Sequence, residues 1–234
     1  MSMTTRAIRI IRDEGVTALP SKIRQKVLRS NLAFKLYDMG ILSHDTIYGE
    51  EYYEKMDRES ALQDAETFAK SVFSEYDPAN VIEFGCGTGR LLYPYDNRGI
   101  GVQGLELSSA AKHVSKLDNN QFVVHDLAQP YEAKDPYDLA LCVEVLEHLP
   151  ADAADTVVAS ISASSSVAIV TAATPEQGGT HHVNEQPHEY WIEKFTSQGM
   201  AYQKEKTDRI RSNIDMIDLT WIPKNLLIFE DQNE

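Results

Sequence analysis

The sequence predicts a doubly wound α/β fold with a seven-stranded, mostly parallel sheet, and three observations carry that prediction. From residue 80 onward, short apolar runs rich in β-favouring residues alternate with segments of helical period. Residues 81–90, Val-Ile-Glu-Phe-Gly-Cys-Gly-Thr-Gly-Arg, read as a buried strand ending in a turn without side chains, where backbone can approach a ligand closely. The chain has 234 residues, 42% of them hydrophobic, enough for one such domain and an extension.

Taken in order, residues 4–38 read as two helical pieces broken at Ala18-Leu19-Pro20-Ser21, with Ser21 as an N-cap. Ile8, Ile10, Ile11 and Val16 punctuate the first piece. Ile23, Val27, Leu28 and Leu32 recur at helical spacing in the second, with basic residues between them. Residues 1–35 hold eight basic and two acidic residues, +6, whereas the remainder carries 14 basic and 34 acidic, −20. The boundaries follow: a basic helical extension over 1–50 and the main domain over 51–234. Two readings of the extension stay open. It is an amphipathic element lying on an anionic membrane surface or a lipid-linked substrate, or a lid packed on the domain with its arginines in solvent.

Tyr48-Gly49-Glu50-Glu51-Tyr52-Tyr53 is an aromatic, acidic turn, and a helix over about 59–75 follows, with Leu62, Ala65, Phe68, Ala69 and Val72 on one face. Strands are expected over 80–84, 100–106, 121–124, 137–143, 167–172, about 200–206 and about 221–230. Helices are expected over about 89–95, 108–117, 151–163 and 188–198. The helix after the glycine turn would point its first N–H groups at the same ligand.

Composition narrows the setting. No apolar run approaches the roughly 18 residues of a membrane span, and no apolar leader opens the chain. The two cysteines, Cys86 and Cys142, lack metal-ligand spacing. The expectation is a cytoplasmic protein, peripheral at the inner membrane face if the extension binds lipid. An acidic body repels nucleic-acid backbones, so a nucleic-acid partner is not expected.

A dinucleotide fingerprint needs glycine where this chain has Arg90. The spacing here is E-x-G-x-G-x-G from Glu83 through Gly85, Gly87 and Gly89, and with it the chain resembles the class I S-adenosylmethionine-dependent methyltransferases, a Rossmann-like superfamily. The last strand then fits the antiparallel edge strand of that fold. The resemblance implies that Glu83 holds the loop and the methionine end of S-adenosylmethionine, and that Gly85, Cys86, Gly87 and Gly89 form the turn beneath it. Glu106, followed by Leu107, ends the second strand 21 residues after Gly85. That distance suits an acid accepting from both hydroxyls of a ribose diol. By resemblance, Asp126 accepts from the adenine amino group and Leu127 offers backbone and an apolar edge.

Glu144, Glu147 and His148 form E-x-x-E-H before Pro150. Were Glu144 and Glu147 one helical turn apart, they would share a face with His148 close by, a donor set for a divalent ion such as Mg2+ or Mn2+. The triad resembles two metal-using branches of the superfamily, the small-RNA 2′-O-methyltransferases and the ubiquinone-pathway O-methyltransferases, and the spacing lets His181 or His182, His182 first, return after the fifth strand to complete the site. The other reading gives Glu144 to the cofactor's amino end and leaves His148 as packing.

The segment 178–192, Gly-Gly-Thr-His-His-Val-Asn-Glu-Gln-Pro-His-Glu-Tyr-Trp-Ile, is polar and aromatic and suits an acceptor site. His181 or His182 is a candidate general base, with His148 as a third imidazole. Trp191 is read either as a sugar-stacking face or as a loop anchor, and His188 as a helix cap. The expected function is O-methylation of a sugar or glycan hydroxyl. A small-molecule or quinone-type acceptor is the alternative, followed by RNA 2′-O-methylation and a cofactor-binding subunit without catalysis.

Overall fold

The structure is a computed structural model that describes residues 3–28 and 31–232; Arg29, one of the basic residues counted above, lies outside them. The extension contributes α1 (Met3–Glu14), α2 (Ser21–Leu28), α3 (Asn31–Asp38) and α4 (His44–Ile47), followed by α5 (Glu50–Met56) and α6 (Glu59–Phe73). Then come β1 (Asn80–Phe84), α7 (Tyr93–Asp96), β2 (Gly101–Glu106), α8 (Ser109–His113), β3 (Phe122–Val124) and β4 (Leu139–Cys142). The chain continues through α9 (Ala154–Ser164), β5 (Val167–Thr171), α10 (His188–Ser197), β6 (Met200–Tyr202), α11 (Lys204–Asn213), α12 (Ile222–Asn225) and β7 (Leu226–Asp231).

The seven strands form one sheet in the order β3-β2-β1-β4-β5-β7-β6. Strands β1 to β5 pair in parallel, while β7 runs antiparallel to both β5 and β6. Strand period explains how both faces are covered. Val81, Leu139, Leu141 and Ile169 point into one apolar layer with Phe68, Val72 and Tyr95. Their neighbours Ile82, Ala140, Cys142, Ala168 and Val170 point into the other, with Val157, Ile161, Trp191 and Phe195.

Three expectations change, and whether the second helical piece runs on through residues 29–30 lies outside the described residues. No helix follows the glycine turn directly: Gly89 N–H donates to Cys86 O, Leu92 and Tyr93 N–H donate to Gly89 O, and helix begins only at Tyr93. The strand expected over 200–206 ends at Tyr202, and α11 replaces its second half. Lys-Glu-Lys-Thr-Asp-Arg-Ile-Arg-Ser-Asn buries only Thr207 and Ile210, too few apolar positions for periodicity to register. The last strand starts at Leu226 because Pro223 sits in the first turn of α12.

The extension has its own apolar cluster of Ile11, Leu19, Val27, Ala33, Leu36 and Leu42, bordered by Ile8, Ile10 and Tyr37. Arg6, Arg9, Arg12, Lys22, Lys26 and Lys35 remain exposed around it. No helix among the described residues is long and apolar enough to cross a membrane.

One buried carboxylate fixes the segment between α11 and α12. Asp64 of α6 accepts from the backbone N–H groups of Ile217, Asp218 and Leu219 at 2.7–2.8 Å and is almost fully buried. Asp64→Ala orphans those donors and is expected to cost about 2–3 kcal/mol, a Tm fall of roughly 5–10 °C for a chain of this size. Thermal unfolding of the variant checks it; an unchanged Tm would show the loop to be held by other contacts.

Candidate active site

The carboxyl ends of β1, β2 and β4 open into a cavity of about 700 Å3, the place where open α/β sheets bind ligands. Its floor is the glycine turn. Gly85 has φ +81° and Gly87 φ +54°, left-handed conformations that favour glycine. A side chain at Gly85 would run into Val145, whereas one at Gly87 would meet nothing nearer than Tyr53, at 3.8 Å. The space above Gly87 is therefore open cavity. Gly89 does not line it; its missing side chain makes room for Leu117.

Glu106 closes the floor. Its Oε2 accepts from Gly87 N–H and its Oε1 from Ser108 N–H, both at 3.0 Å. The carboxylate is thus oriented before any ligand arrives, with lone pairs left for a diol. Glu83 is buried beneath the turn with Oε2 unpartnered. Burial drives its carboxyl well above the usual range, the nearby Arg90 opposing and Glu106 reinforcing the shift. Cys86, Leu107, Asp126 and Leu127 line the same space, and Asp126 Oδ1 accepts from Ala128 N–H at 3.0 Å.

Beyond β4 the chain turns sharply. Glu144 takes φ +58°, a conformation that costs a non-glycine residue of order 1–3 kcal/mol. Thr171 at the end of β5 holds it there: Thr171 Oγ1 accepts from Glu144 N–H at 2.7 Å and donates to Glu144 Oε1 at 2.8 Å. Leu146–His148 then form a single 3-10 turn. Glu144 and Glu147 therefore do not share a helix face, contrary to the condition set by sequence spacing.

Glu147, His148 and His182 do meet, each offering one ligand atom within 4.8 Å of the other two; Glu144 stands outside this trio. Glu147 is buried, and neither carboxylate oxygen has a well-formed hydrogen bond. Burial, with the negative Glu144 nearby, pushes its carboxyl up to about 8. His148 Nδ1–H donates to His181 O, 3.2 Å away, and burial lowers its imidazole to about 4.

These two groups act oppositely on stability. A carboxyl raised in the fold stabilises most below its unfolded value near 4.5, and that contribution is lost as pH rises towards about 8. An imidazole lowered in the fold costs stability as pH falls from about 6.5 towards 4. Urea titrations from pH 5 to 8 should show the metal-free protein losing stability at the alkaline end, and Glu147→Gln should flatten that loss. A loss of the same size in the variant would assign it elsewhere.

The segment after β5 returns over the trio. Val183 and Asn184 N–H both donate to Glu147 O. His182 Nδ1 lies 2.9 Å from Glu185 Oε1, and Glu185 also accepts from Glu176 and Gly178 N–H. Glu185 is an orienting partner that sequence reading left undistinguished from its polar neighbours. The His182 ring packs directly on Gly179, where any side chain would collide with Nε2.

His181 differs from its neighbour. It has φ +60°, and its ring stacks on Phe34 at 4.8 Å and meets Tyr37 edge-on at 5.5 Å. An aromatic run continues through His44, Tyr48, Tyr52 and Tyr53. Tyr37, His44, Tyr48, Tyr52 and Tyr53 all line the cavity, so α3 and α4 form one of its walls. Trp191 is fully buried in the core and presents no stacking face. His188 opens α10 without a side-chain capping bond. Thr220, Trp221 and Lys224 also line the cavity; the sequence reading placed a strand over about 221–230 and missed them.

A family model described as a methyltransferase domain matches residues 52–207. A ubiquinone biosynthesis O-methyltransferase from Saccharophagus degradans is 35% identical over 86 residues, 34% of this chain and 36% of that protein. The chain spans about a third of the length of the curated relatives it matches. Among solved structures, an amino pentose methyltransferase of calicheamicin biosynthesis from Micromonospora echinaspora aligns at TM-score 0.55 and 16% identity, covering 78% of this chain and 96% of that one. A TehB-like methyltransferase from Corynebacterium glutamicum aligns at TM-score 0.53 and 16% identity, covering 71% and 88%.

Proposed function

The chain belongs to the methyltransferase domain family, and from that premise we propose that it transfers the methyl group of S-adenosylmethionine to a hydroxyl of a sugar or glycan. The residues present suit that cofactor. The open space over Gly87, the pre-oriented Glu106 and the unpartnered Glu83 oxygen offer an acidic cradle to a cationic ligand carrying a diol. When bound, S-adenosylmethionine supplies a methyl group on a positively charged sulfur.

The observation that carries the reading is the His182–Glu185 pair on the wall of the same cavity. With Nδ1–H donating to Glu185, the ring keeps Nε2 as its acceptor. That nitrogen is the group to take the hydroxyl proton as the acceptor oxygen attacks, and the Glu185 carboxylate stabilises the imidazolium that forms. The aromatic wall from Phe34 to Tyr53 excludes water and restricts the acceptor's approach.

A second reading rests on the unpartnered oxygens of Glu147. With His148 and His182 it would hold a divalent cation such as Mg2+ or Mn2+, which would acidify a hydroxyl. The curated relatives favour a quinone-type acceptor over a glycan, and the exposed basic rim of the extension suits an acceptor carried in an anionic membrane. Transfer of labelled methyl into fractionated extract, with and without chelator, tests all of these. Label in a glycan or glycolipid fraction supports the leading reading; label confined to small lipids or soluble compounds supports the alternative. Loss with chelator, restored by Mg2+ or Mn2+, supports the metal trio. Absence of S-adenosylhomocysteine as product with every fraction would sink the catalytic proposal.

A further inference from the structure

We propose that the acceptor carries an anionic group, a carboxylate or a phosphate, that seats on Lys224 beside the face of Trp221; the inference rests on the methyl-transfer reading of the same cavity. The cavity is otherwise acidic: Glu83, Glu106 and Glu144 line it, and its cations are Arg90 and Lys224. Arg90 is already engaged, with Nη1 donating to Met56 O at 2.5 Å and its charge facing Asp57 and Glu83. The Lys224 backbone N–H donates to Trp221 O at 3.0 Å, but the Lys224 ammonium forms no hydrogen bond or ion pair among the described residues. An acceptor with a negative group would avoid the acidic floor and find an unpaired ammonium at Lys224.

The neighbouring side chain suits the same ligand. Trp221 is 36% exposed on the cavity wall, whereas Trp191 is fully buried. A partly exposed indole offers a flat apolar face for the ring that bears the anion. The wall is also held in place. Asp64 clamps the three backbone N–H groups just before it. Asn225 Nδ2, the next residue after Lys224, donates to Gln177 Oε1 at 2.9 Å, joining this wall to the segment that bears His182. Lys224 and Trp221 therefore keep a fixed relation to the proposed base, which is what orienting an acceptor requires.

Trp221 supplies the readout. The full chain, loaded with S-adenosylhomocysteine and also unloaded, is titrated with 4-nitrophenyl glucoside, its 6-phosphate and 4-nitrophenyl glucuronide, which share one aromatic quencher. The two anionic probes should quench at about tenfold lower concentration than the neutral one, the increment expected of one hydrogen bond to a charged group. The better of the two identifies phosphate or carboxylate. Lys224→Gln should erase the preference without changing S-adenosylhomocysteine affinity, and Trp221→Phe should remove the quenching. Equal quenching by all three probes, or a preference that survives Lys224→Gln, overturns the proposal. The titration needs no turnover, so failure of methyl transfer would be seen separately, as absence of newly formed S-adenosylhomocysteine from S-adenosylmethionine.

Discussion

Gly87→Leu should bind S-adenosylhomocysteine on the order of 100-fold more weakly, about 2.7 kcal/mol, while still unfolding cooperatively, with a Tm lowered by only about 2–8 °C. The expectation follows from where the missing side chain would lie. At φ +54° a leucine is strained by roughly 1–2 kcal/mol, but its Cβ meets nothing nearer than Tyr53 at 3.8 Å. The fold can accept it; the added side chain extends into the cavity where the cofactor is proposed to lie. Gly85→Ala makes the opposite case. Its Cβ falls on Val145 at φ +81°, so that variant should lose stability first. Calorimetry with S-adenosylhomocysteine, paired with thermal melts, separates the two. Near-normal affinity in Gly87→Leu would mean that the cofactor does not sit over this turn.

His182→Ala should lower kcat by about 10²- to 10⁴-fold, the range of general-base contributions, with cofactor affinity unchanged. Glu185→Gln should lower it by roughly 10- to 100-fold, since it removes the orienting partner and keeps the ring. The graded pair is the diagnostic. If Glu185→Gln were silent while His182→Ala was inactive and no longer responded to Mg2+, His182 would be acting as a ligand with Glu147 and His148. Turnover within about threefold of the parent in His182→Ala would remove it from the chemistry.

Glycine spacing made the floor of the cavity readable in advance. Gly85, Gly87, Glu106, Asp126 and Leu127 sit together because strand ends in a parallel sheet converge on one edge, and the order of strands is carried by short-range patterns. Glu147, His148 and His182 were also nameable, since two lie in one turn and the third follows the next strand. The geometry of Glu144 was not. Its left-handed backbone depends on Thr171, a neighbour across the sheet that no local pattern marks. The same reason hid Lys224 and Trp221. The polar helix α11 gives no periodic signal, so the apolar run after it read as one long strand and its first residues were never considered as cavity wall. For Trp191 the sequence left a stacking face and a loop anchor both open, and its burial in the core fits the anchor.

The contact between Phe34 and His181 has a kinetic meaning. Helix α3 belongs to a small apolar cluster of its own, yet it also walls the cavity. Any loosening of that cluster, at Leu36 or Ala33 for instance, lifts the wall as well. In the proposed reaction, the dwell time of whatever lies behind it would then be bounded by the opening rate of the extension, and that rate would cap kcat however fast the methyl moves.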